Sequence, residues 1–195
     1  MSNHENAVPG KLNLGCGEFK KSGYINLDVE DRFSPDVLHD LNDLPYPFAD
    51  GTFDLIESSH NLEHLSDPFA AMAEMHRLLA PGGKLVIKVP HFSRGLTHPD
   101  HRRGFDVSFP FYFNPGFPGG YTGTRFDLAK LRLTWYGQPY LKKKVLSPPV
   151  HVTLRGIGWV IDILANLSPA LCSRIWCFWV GGFEEMELHF KKPST

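Results

Sequence analysis

Short apolar runs, separated by turn residues, fill the first ninety positions of the chain. Alternating or continuous apolar runs of four to six residues, bounded by Gly, Pro, Asn and Asp, are typical of β-strands. They predict strands at 11–14, 24–28, 37–40, 53–57 and 84–89. The last run is almost wholly apolar, which is typical of a strand covered on both faces of a parallel sheet.

One clear helix is predicted between the fourth and fifth strands. Asp67 followed by Pro68 forms a helix start, since a capping side chain precedes a proline in the first turn. Apolar residues then recur at helical spacing until the Pro-Gly-Gly at 81–83, which predicts the helix end. Strands that alternate with crossovers predict an open α/β sheet. Barely one helical turn fits between Gly17 and Tyr24, so the first crossover helix is predicted to be truncated or replaced by a loop.

The pattern changes after Pro90. Residues 91–121 are rich in His, Arg, Phe, Pro and Gly and show no period, and a long irregular segment in a compact domain is usually functional. Alternation with period two returns at 130–136 and 185–190, which predicts two antiparallel strands. Two helical segments are predicted between them, at about 150–166 and 169–180.

Length and composition narrow the class of protein. The 195 residues predict a single domain, and 20 basic against 21 acidic residues leave a net charge of −1, which disfavours a nucleic-acid partner. Three cysteines without a Cys-x-x-Cys pair favour a reducing compartment. The polar N-terminus has no apolar signal core, so a cytoplasmic location is expected.

Glycines and acids lie where the predicted strands end. Gly15-Cys16-Gly17 follows the first strand, Asp28 ends the second and Asp40 ends the third. Ligands of open α/β sheets bind at this edge, where Asp28 can accept hydrogen bonds from ribose hydroxyls and Asp40 from an adenine amino group. A dinucleotide site is not expected, because Lys20 occupies the place of its third glycine and Asp28 comes too early. The pattern therefore favours an adenosine ligand without phosphates.

Six segments carry a resemblance to a known family: LNLGCGE at 12–18, INLD at 25–28, HDL at 39–41, LPYPF at 44–48, DGTFD at 50–54 and MHRLLAPGG at 75–83. Over about residues 10–90 the chain resembles class I S-adenosyl-L-methionine-dependent methyltransferases of the type 11 kind. The resemblance implies a Rossmann-like, mostly parallel α/β sheet of seven strands whose last two form an antiparallel hairpin. Residues 10–90 would then form a cofactor-binding half, and 91–195 an acceptor-side half with a helical insertion at about 145–183.

The resemblance also implies a site for S-adenosyl-L-methionine. The turn would line its methionine and ribose parts, Asp28 would hold the ribose, Asp40 and the Leu41 amide the adenine, and Ser58 to His60 the methionine end. Asn13 stands where many relatives carry an Asp that supports the cofactor's ammonium group. The expected cofactor residues are Asn13, Gly15, Cys16, Gly17, Asp28, Asp40, Leu41, Ser58 and His60.

The acceptor side is predicted from a second segment. Residues 91–105 resemble a Pro-His … Asp-Pro-x-His-x-x-x-Phe pattern of some small relatives, and a base is needed when the acceptor holds its proton tightly. The expected catalytic residues are His64, His91 and His101. The expected acceptor-binding residues are Arg94, His98, Arg102 and Phe105. The acceptor would be a small molecule, a sugar precursor or a lipid-like compound.

Several alternatives stay open at this point. No metal ligands are assigned, but His91, His98, Asp100 and His101 would be the ligands of a metal-dependent enzyme. A catalytically silent, cofactor-binding regulator or scaffold is the other alternative. The aromatic residues of 105–121 would wall an acceptor pocket or form a small core. The apolar segment 157–183 would pack on the sheet, cap the site or lie on a membrane surface.

Overall fold

A computed structural model describes residues 10–95 and 98–194. Its strands are β1 Gly10–Leu14, β2 Ile25–Asp28, β3 Val37–Leu38, β4 Phe53–Ser59, β5 Leu79–Pro90, β6 Asp127–Thr134 and β7 Glu185–Lys191. Its helices are α1 Pro68–Leu78, α2 Phe92–Gly95, α3 Pro139–Lys142, α4 Pro148–Ala165 and α5 Pro169–Arg174. Short 3-10 turns lie at Asp31–Phe33, Phe109–Phe113 and Trp176–Phe178.

The strands form one seven-stranded sheet in the order β3-β2-β1-β4-β5-β7-β6. The first five strands pair in parallel, and β7 lies antiparallel between β5 and β6. The predicted sheet, with its antiparallel last pair and a helical insertion before the final strand, is confirmed. Because β1 lies between β2 and β4, the chain reverses its direction of travel across the sheet there, and the loops after these strands border a crevice.

Several element boundaries differ from the predicted ones. Strand β3 ends at Leu38 and not at residue 40, and α5 ends at Arg174 and not at about residue 180. Helix α1 ends at Leu78, before the Pro-Gly-Gly, and β5 begins at Leu79. Strand β6 begins at Asp127, three residues before the predicted start, because its pairing with β7 extends to Asp127 opposite Lys191. Local alternation could not show this, since partner pairing sets the strand length.

The predicted truncation of the first crossover is also confirmed, and an amide network stabilises the loop that replaces the helix. Asn26 Oδ1 accepts hydrogen bonds from Lys21 N at 2.8 Å and from Asn13 Nδ2 at 3.1 Å. Asn26 Nδ2 donates to the carbonyls of Lys21 and Tyr24 and to Asp36 Oδ2. The side chain of Asn26 therefore satisfies loop backbone groups that a helix would otherwise satisfy internally.

The two faces of the sheet differ in chemistry. One face presents Leu12, Ile56, Leu85 and Ile87, all fully buried in a core that α1 shares through Met72 and other residues. The opposite face carries half-buried charged side chains, among them Glu57, Lys88 and Glu187, and the exposed Arg132. The expectation that β5 is covered on both faces is therefore wrong for the described residues, because Val86 and Lys88 remain half-buried.

The aromatic segment after Pro90 contributes to the core. Phe105, Phe109, Phe113 and Phe126 are buried, and the ring centroid of Phe113 lies 5.7 Å from that of Phe190 on β7. The small-core alternative therefore describes these rings, although Phe111 stays 43% exposed. Hydrophobic burial of the rings stabilises a segment that has little regular structure.

Helix α4 is attached at the β6 edge and is mostly exposed. It buries only His151, Gly158 and Ala165. Asp162 Oδ1 accepts a hydrogen bond from Trp135 N at 2.7 Å, and Asn166, directly after the helix, accepts one from Leu133 N at 2.9 Å. None of the described helices is both long enough and apolar enough to cross a membrane.

Candidate functional site

The turn after β1 has a conformation that requires glycine. Gly15 and Gly17 have φ values of +61° and +47°, a region that other residues seldom adopt. A Cβ on Gly15 would also overlap the side-chain amide of Asn61. Asn61 Nδ2 donates to the Leu14 carbonyl at 2.9 Å, so the turn and the segment after β4 are joined at this point. Around Gly17 the space that a Cβ would occupy is open.

Asp28 supports the same turn from β2. Its carboxylate is 7% exposed and accepts hydrogen bonds from Gly17 N at 2.7 Å and Glu30 N at 2.9 Å. A carboxylate has about four acceptor positions, so further donors, such as two ribose hydroxyls, can still bind. This carboxylate and the open space at Gly17 fit an adenosine ligand.

A cleft of about 370 Å³, the strand-end cleft, opens beside this turn. Of the expected cofactor residues it is lined by Gly15, Gly17, Asp28, Asp40, Leu41 and His60. Sequence reasoning missed Val29, Glu30, Phe33, Asn42, Asn61 and Leu65, which also line it. Four of them directly follow an expected site residue in the chain, and this adjacency is the signal that could have found them: Val29, Asn42, Asn61 and Leu65. Phe33 ends the short 3-10 turn after β2, and no sequence signal pointed to it.

A larger cavity of about 620 Å³ lies on the polar face of the sheet and shares Gly15 and His60 with the cleft. Asn13 and Cys16, which were expected at the cofactor, line this sheet-face cavity instead. Ion pairs bridge its wall, such as Lys88 Nζ to Glu187 Oε2 at 3.3 Å. The two spaces together give the site room for two ligands.

Ser58, the remaining expected cofactor residue, lines neither space. It is 1% exposed, and its hydroxyl accepts a hydrogen bond from Asn61 Nδ2 at 3.1 Å. The structure therefore connects Ser58 to the cleft only through Asn61.

His60 lies between the cleft and the sheet-face cavity with a φ of +57°. Its Nε2 donates to Glu185 Oε2 at 2.9 Å, and its Nδ1 lies 3.4 Å from Glu63 Oε1. Burial opposes the charged ring, but the two carboxylates outweigh it and raise the pKa of His60 to about 9. His60 is therefore an imidazolium at neutral pH and does not act as a proton acceptor there.

His91 has the opposite environment. It is fully buried, and its Nδ1 and Nε2 each hydrogen-bond a hydroxyl, of Ser93 and Ser173, at 2.7 Å. Burial lowers its pKa to about 4. The structure does not bring His91 to either cavity, and neither ring nitrogen is available to a ligand.

Three other histidines, the histidine cluster, do meet: His64, His98 and His101. The ring of His101 lies 4.9 Å from that of His64 and 4.7 Å from that of His98. His64 lines the strand-end cleft. The cluster brings together segments that are more than thirty residues apart in the chain.

The other expected acceptor residues lie elsewhere. Arg102 Nη1 donates to Ser66 Oγ at 2.8 Å, just before α1. Arg94 Nη1 pairs with Glu184 Oε1 at 3.1 Å. Phe105 is 4% exposed and belongs to the aromatic core. The structure therefore brings together the histidines but not these three residues.

Comparisons with known proteins match this geometry. Residues 12–87 match the family described as "Methyltransferase domain". Over these residues the chain is similar to methyltransferase domains. A demethylmenaquinone methyltransferase from Thermus thermophilus is 33% identical over 117 residues, which cover 58% of this chain and 46% of that protein. The chain spans less than half of the length of the curated relatives that it matches.

Solved structures show the same fold over nearly the whole domain. A SAM-dependent methyltransferase from Archaeoglobus fulgidus has a TM-score of 0.57 at 20% identity, covering 94% of this chain and 86% of its own. Phosphoethanolamine N-methyltransferase 2 from Haemonchus contortus, in complex with S-adenosyl-L-methionine, has a TM-score of 0.56 at 14% identity, covering 96% of this chain and 50% of its own. The family match ends at residue 87, so the histidine cluster's second segment and the helical insertion lie outside it.

Proposed function

We propose that this chain is a class I methyltransferase domain, which transfers the methyl group of S-adenosyl-L-methionine to a small-molecule or lipid-like acceptor. The observation that carries the proposal is the strand-end cleft, where the glycine turn, Asp28 and Asp40 meet within the residues that match the family. The acceptors of named relatives differ, so fold alone does not identify the acceptor here.

Each side chain of the cleft has a proposed task in cofactor binding. Asp28 accepts hydrogen bonds from the ribose, Asp40 and the Leu41 amide contact the adenine, and the glycine turn allows close backbone approach. When bound, S-adenosyl-L-methionine supplies an electrophilic methyl group on a sulfonium sulfur. The chain's contribution is to align the acceptor and exclude water. We place the acceptor beside His64 and His101, because the ring of His64 lines the cleft and that of His101 lies 4.9 Å from the His64 ring.

Calorimetry with S-adenosyl-L-methionine tests the cofactor site directly. Asp28→Ala should weaken the binding free energy by about 1–3 kcal/mol, because ribose hydroxyls lose their acceptor. Asp31→Ala, which removes an exposed carboxylate nearby, is the matched control and should bind like the wild type. Equal affinity of wild type and Asp28→Ala would contradict the proposed site.

Turnover needs a separate assay. Fractionated metabolite and lipid extracts, incubated with methyl-labelled S-adenosyl-L-methionine, should yield a labelled product and S-adenosylhomocysteine. Binding without product from any fraction would favour the alternative of a catalytically silent cofactor-binding regulator.

We further propose that the domain acts at the cytoplasmic surface of a membrane. Residues 139–182, which include α4 and α5, contain five basic residues and a single acid, Asp162. Two of the basic residues, Lys142 and Arg174, pair with Glu184 and Asp106 outside this range, which leaves Lys143, Lys144 and Arg155 to face an anionic surface. Large apolar side chains of this region face outward, including Trp159 at 66% and Trp179 at 81% exposure. Apolar area combined with positive charge is the chemistry that binds anionic lipid surfaces. The described cysteines are free thiols, which supports a reducing compartment.

A further inference from the structure

Glu63 is a buried carboxylate without a hydrogen bond. Its side chain is 0% exposed, and none of the described residues donates a hydrogen bond to either oxygen. The closest histidine nitrogens are His60 Nδ1 and His101 Nε2, which lie 3.4 Å and 3.8 Å from Oε1. Burying a carboxylate costs several kcal/mol unless a strong partner compensates it. Both carboxylate oxygens therefore remain able to accept a further ligand in addition to these long contacts.

Two histidines beside Glu63 are oriented as ligands. His64 Nδ1 lies 3.1 Å from the Asp100 carbonyl oxygen, and His101 Nδ1 hydrogen-bonds the Gly95 carbonyl oxygen. A carbonyl only accepts, so each Nδ1 carries the proton and each Nε2 presents a lone pair. Metal-binding histidines usually have this arrangement, in which a backbone carbonyl or carboxylate fixes the ring through its second nitrogen.

The distances permit a shared ion after a small contraction. One ligand atom from each of Glu63, His64 and His101 lies within 4.8 Å of the others. In a tetrahedral zinc site with bonds of ~2.0–2.2 Å, ligand atoms lie about 3.3–3.5 Å apart. Binding of a metal ion would draw the three ligand atoms together by roughly 1 Å. His98 is unsuited as a fourth ligand in its present orientation, because its Nδ1 accepts from Asp100 N.

We propose that Glu63, His64 and His101 bind one divalent transition-metal ion of the zinc class at the rim of the strand-end cleft. Two histidines and one carboxylate are a common catalytic zinc ligand set, which leaves a coordination position open. This set differs from the sequence-based alternative, which required His91. Metal binding stands independently of the proposed function. Only its use in turnover rests on that function: the open position would bind an acceptor oxygen and favour loss of its proton to solvent.

The test uses the whole chain, purified without a metal-affinity tag and treated with a chelator. Calorimetric titration with zinc chloride should show one strong site per chain, and cobalt chloride should produce the visible absorption of a low-symmetry site. His64→Asn and His101→Asn should each weaken zinc affinity at least about tenfold to a hundredfold. His98→Asn and His39→Asn, which remove rings outside the ligand set, should retain it.

Two results would overturn the proposal. The first is no stoichiometric zinc binding by the wild type; the second is an equal loss in His98→Asn and His64→Asn. Thermal unfolding of every variant establishes that affinity is compared between folded proteins. S-adenosyl-L-methionine titration of the same chelated sample separates the two proposals, since a failed metal site leaves cofactor binding intact and a failed cofactor site leaves zinc binding intact.

Discussion

At the residue scale, the histidines show how surroundings determine the chemistry of one side chain. His60 lies between two carboxylates, which raise its pKa to about 9, whereas burial lowers the pKa of His91 to about 4. In both His64 and His101, Nδ1 contacts a backbone carbonyl oxygen and Nε2 remains able to bind a ligand. The same residue type is therefore a cation at neutral pH, a neutral core group and a candidate ligand within one domain.

Burial of His91 predicts a loss of stability in mild acid. The unfolded ring takes up a proton below its ordinary pKa of about 6.5, whereas the folded ring resists protonation until about pH 4. The stabilisation is complete above pH 6.5 and is lost as the pH falls toward 4, with an upper size of about 3 kcal/mol. Urea unfolding of His91→Gln between pH 7 and about 4.5 should show a smaller decline than the wild type. His39→Gln is the control, and an unchanged decline in His91→Gln would rule out His91 as its source.

At the element scale, a helix cap and a network of side-chain hydrogen bonds position the segments that line the site. Asn26 stabilises the loop after β1, and Asp67 caps α1 by accepting hydrogen bonds from Phe69 N at 2.9 Å and Ala70 N at 3.0 Å. Helix α1 in turn packs Met72 and Met75 into the core. Such polar contacts orient the segments that enclose the cleft.

The cap of α1 gives a prediction for this element. Asp67→Ala should lower the free energy of unfolding by about 0.5–2 kcal/mol, because two backbone N–H groups lose their acceptor. Asp67→Asn keeps a capping oxygen and should retain most of the stability. Urea midpoints of the two variants measure the difference, and equal midpoints would mean that the cap contributes little.

At the scale of the whole molecule, apolar surface is distributed unevenly. The core lies on one face of the sheet, whereas the exposed apolar side chains of α4 and α5 gather at the β6 edge. Scattered exposed apolar residues are ordinary, but a contiguous patch marks an interaction surface. Together with Lys143 and Lys144 of the same chain segment, these side chains support the proposed contact with anionic lipid.

Vesicle binding tests this surface. Sedimentation with vesicles of equal parts phosphatidylcholine and phosphatidylserine should recover the protein better than vesicles of phosphatidylcholine alone. Changing both Trp159 and Trp179 to Ser should weaken binding at least about tenfold, since burying a large apolar side chain contributes about 1.5–3 kcal/mol. Leu38→Ser, which changes a residue that is 57% exposed on the opposite edge strand β3, is the control. Equal binding by all three proteins would contradict a membrane-facing edge.

Prediction from sequence succeeded where the determining contacts are local. Strand periodicity, the Asp67-Pro68 helix start and the glycine turn depend on near neighbours, and each lies where it was predicted. Prediction failed where contacts with residues far away in the chain determine the structure. The added length of β6 comes from its pairing with β7, and the burial of His91 comes from Ser173, which is 82 residues away.

The sequence alone determined the class of fold, its seven strands and the residues that end the first two of them, because hydrophobic periodicity and turn chemistry are short-range properties. Only the tertiary structure decided which side chains meet. It joined Glu63 and His64 to His101, placed Asn61 against Gly15 and left one face of the sheet polar. These outcomes depend on packing between segments far apart in the chain, whose geometry no local pattern records.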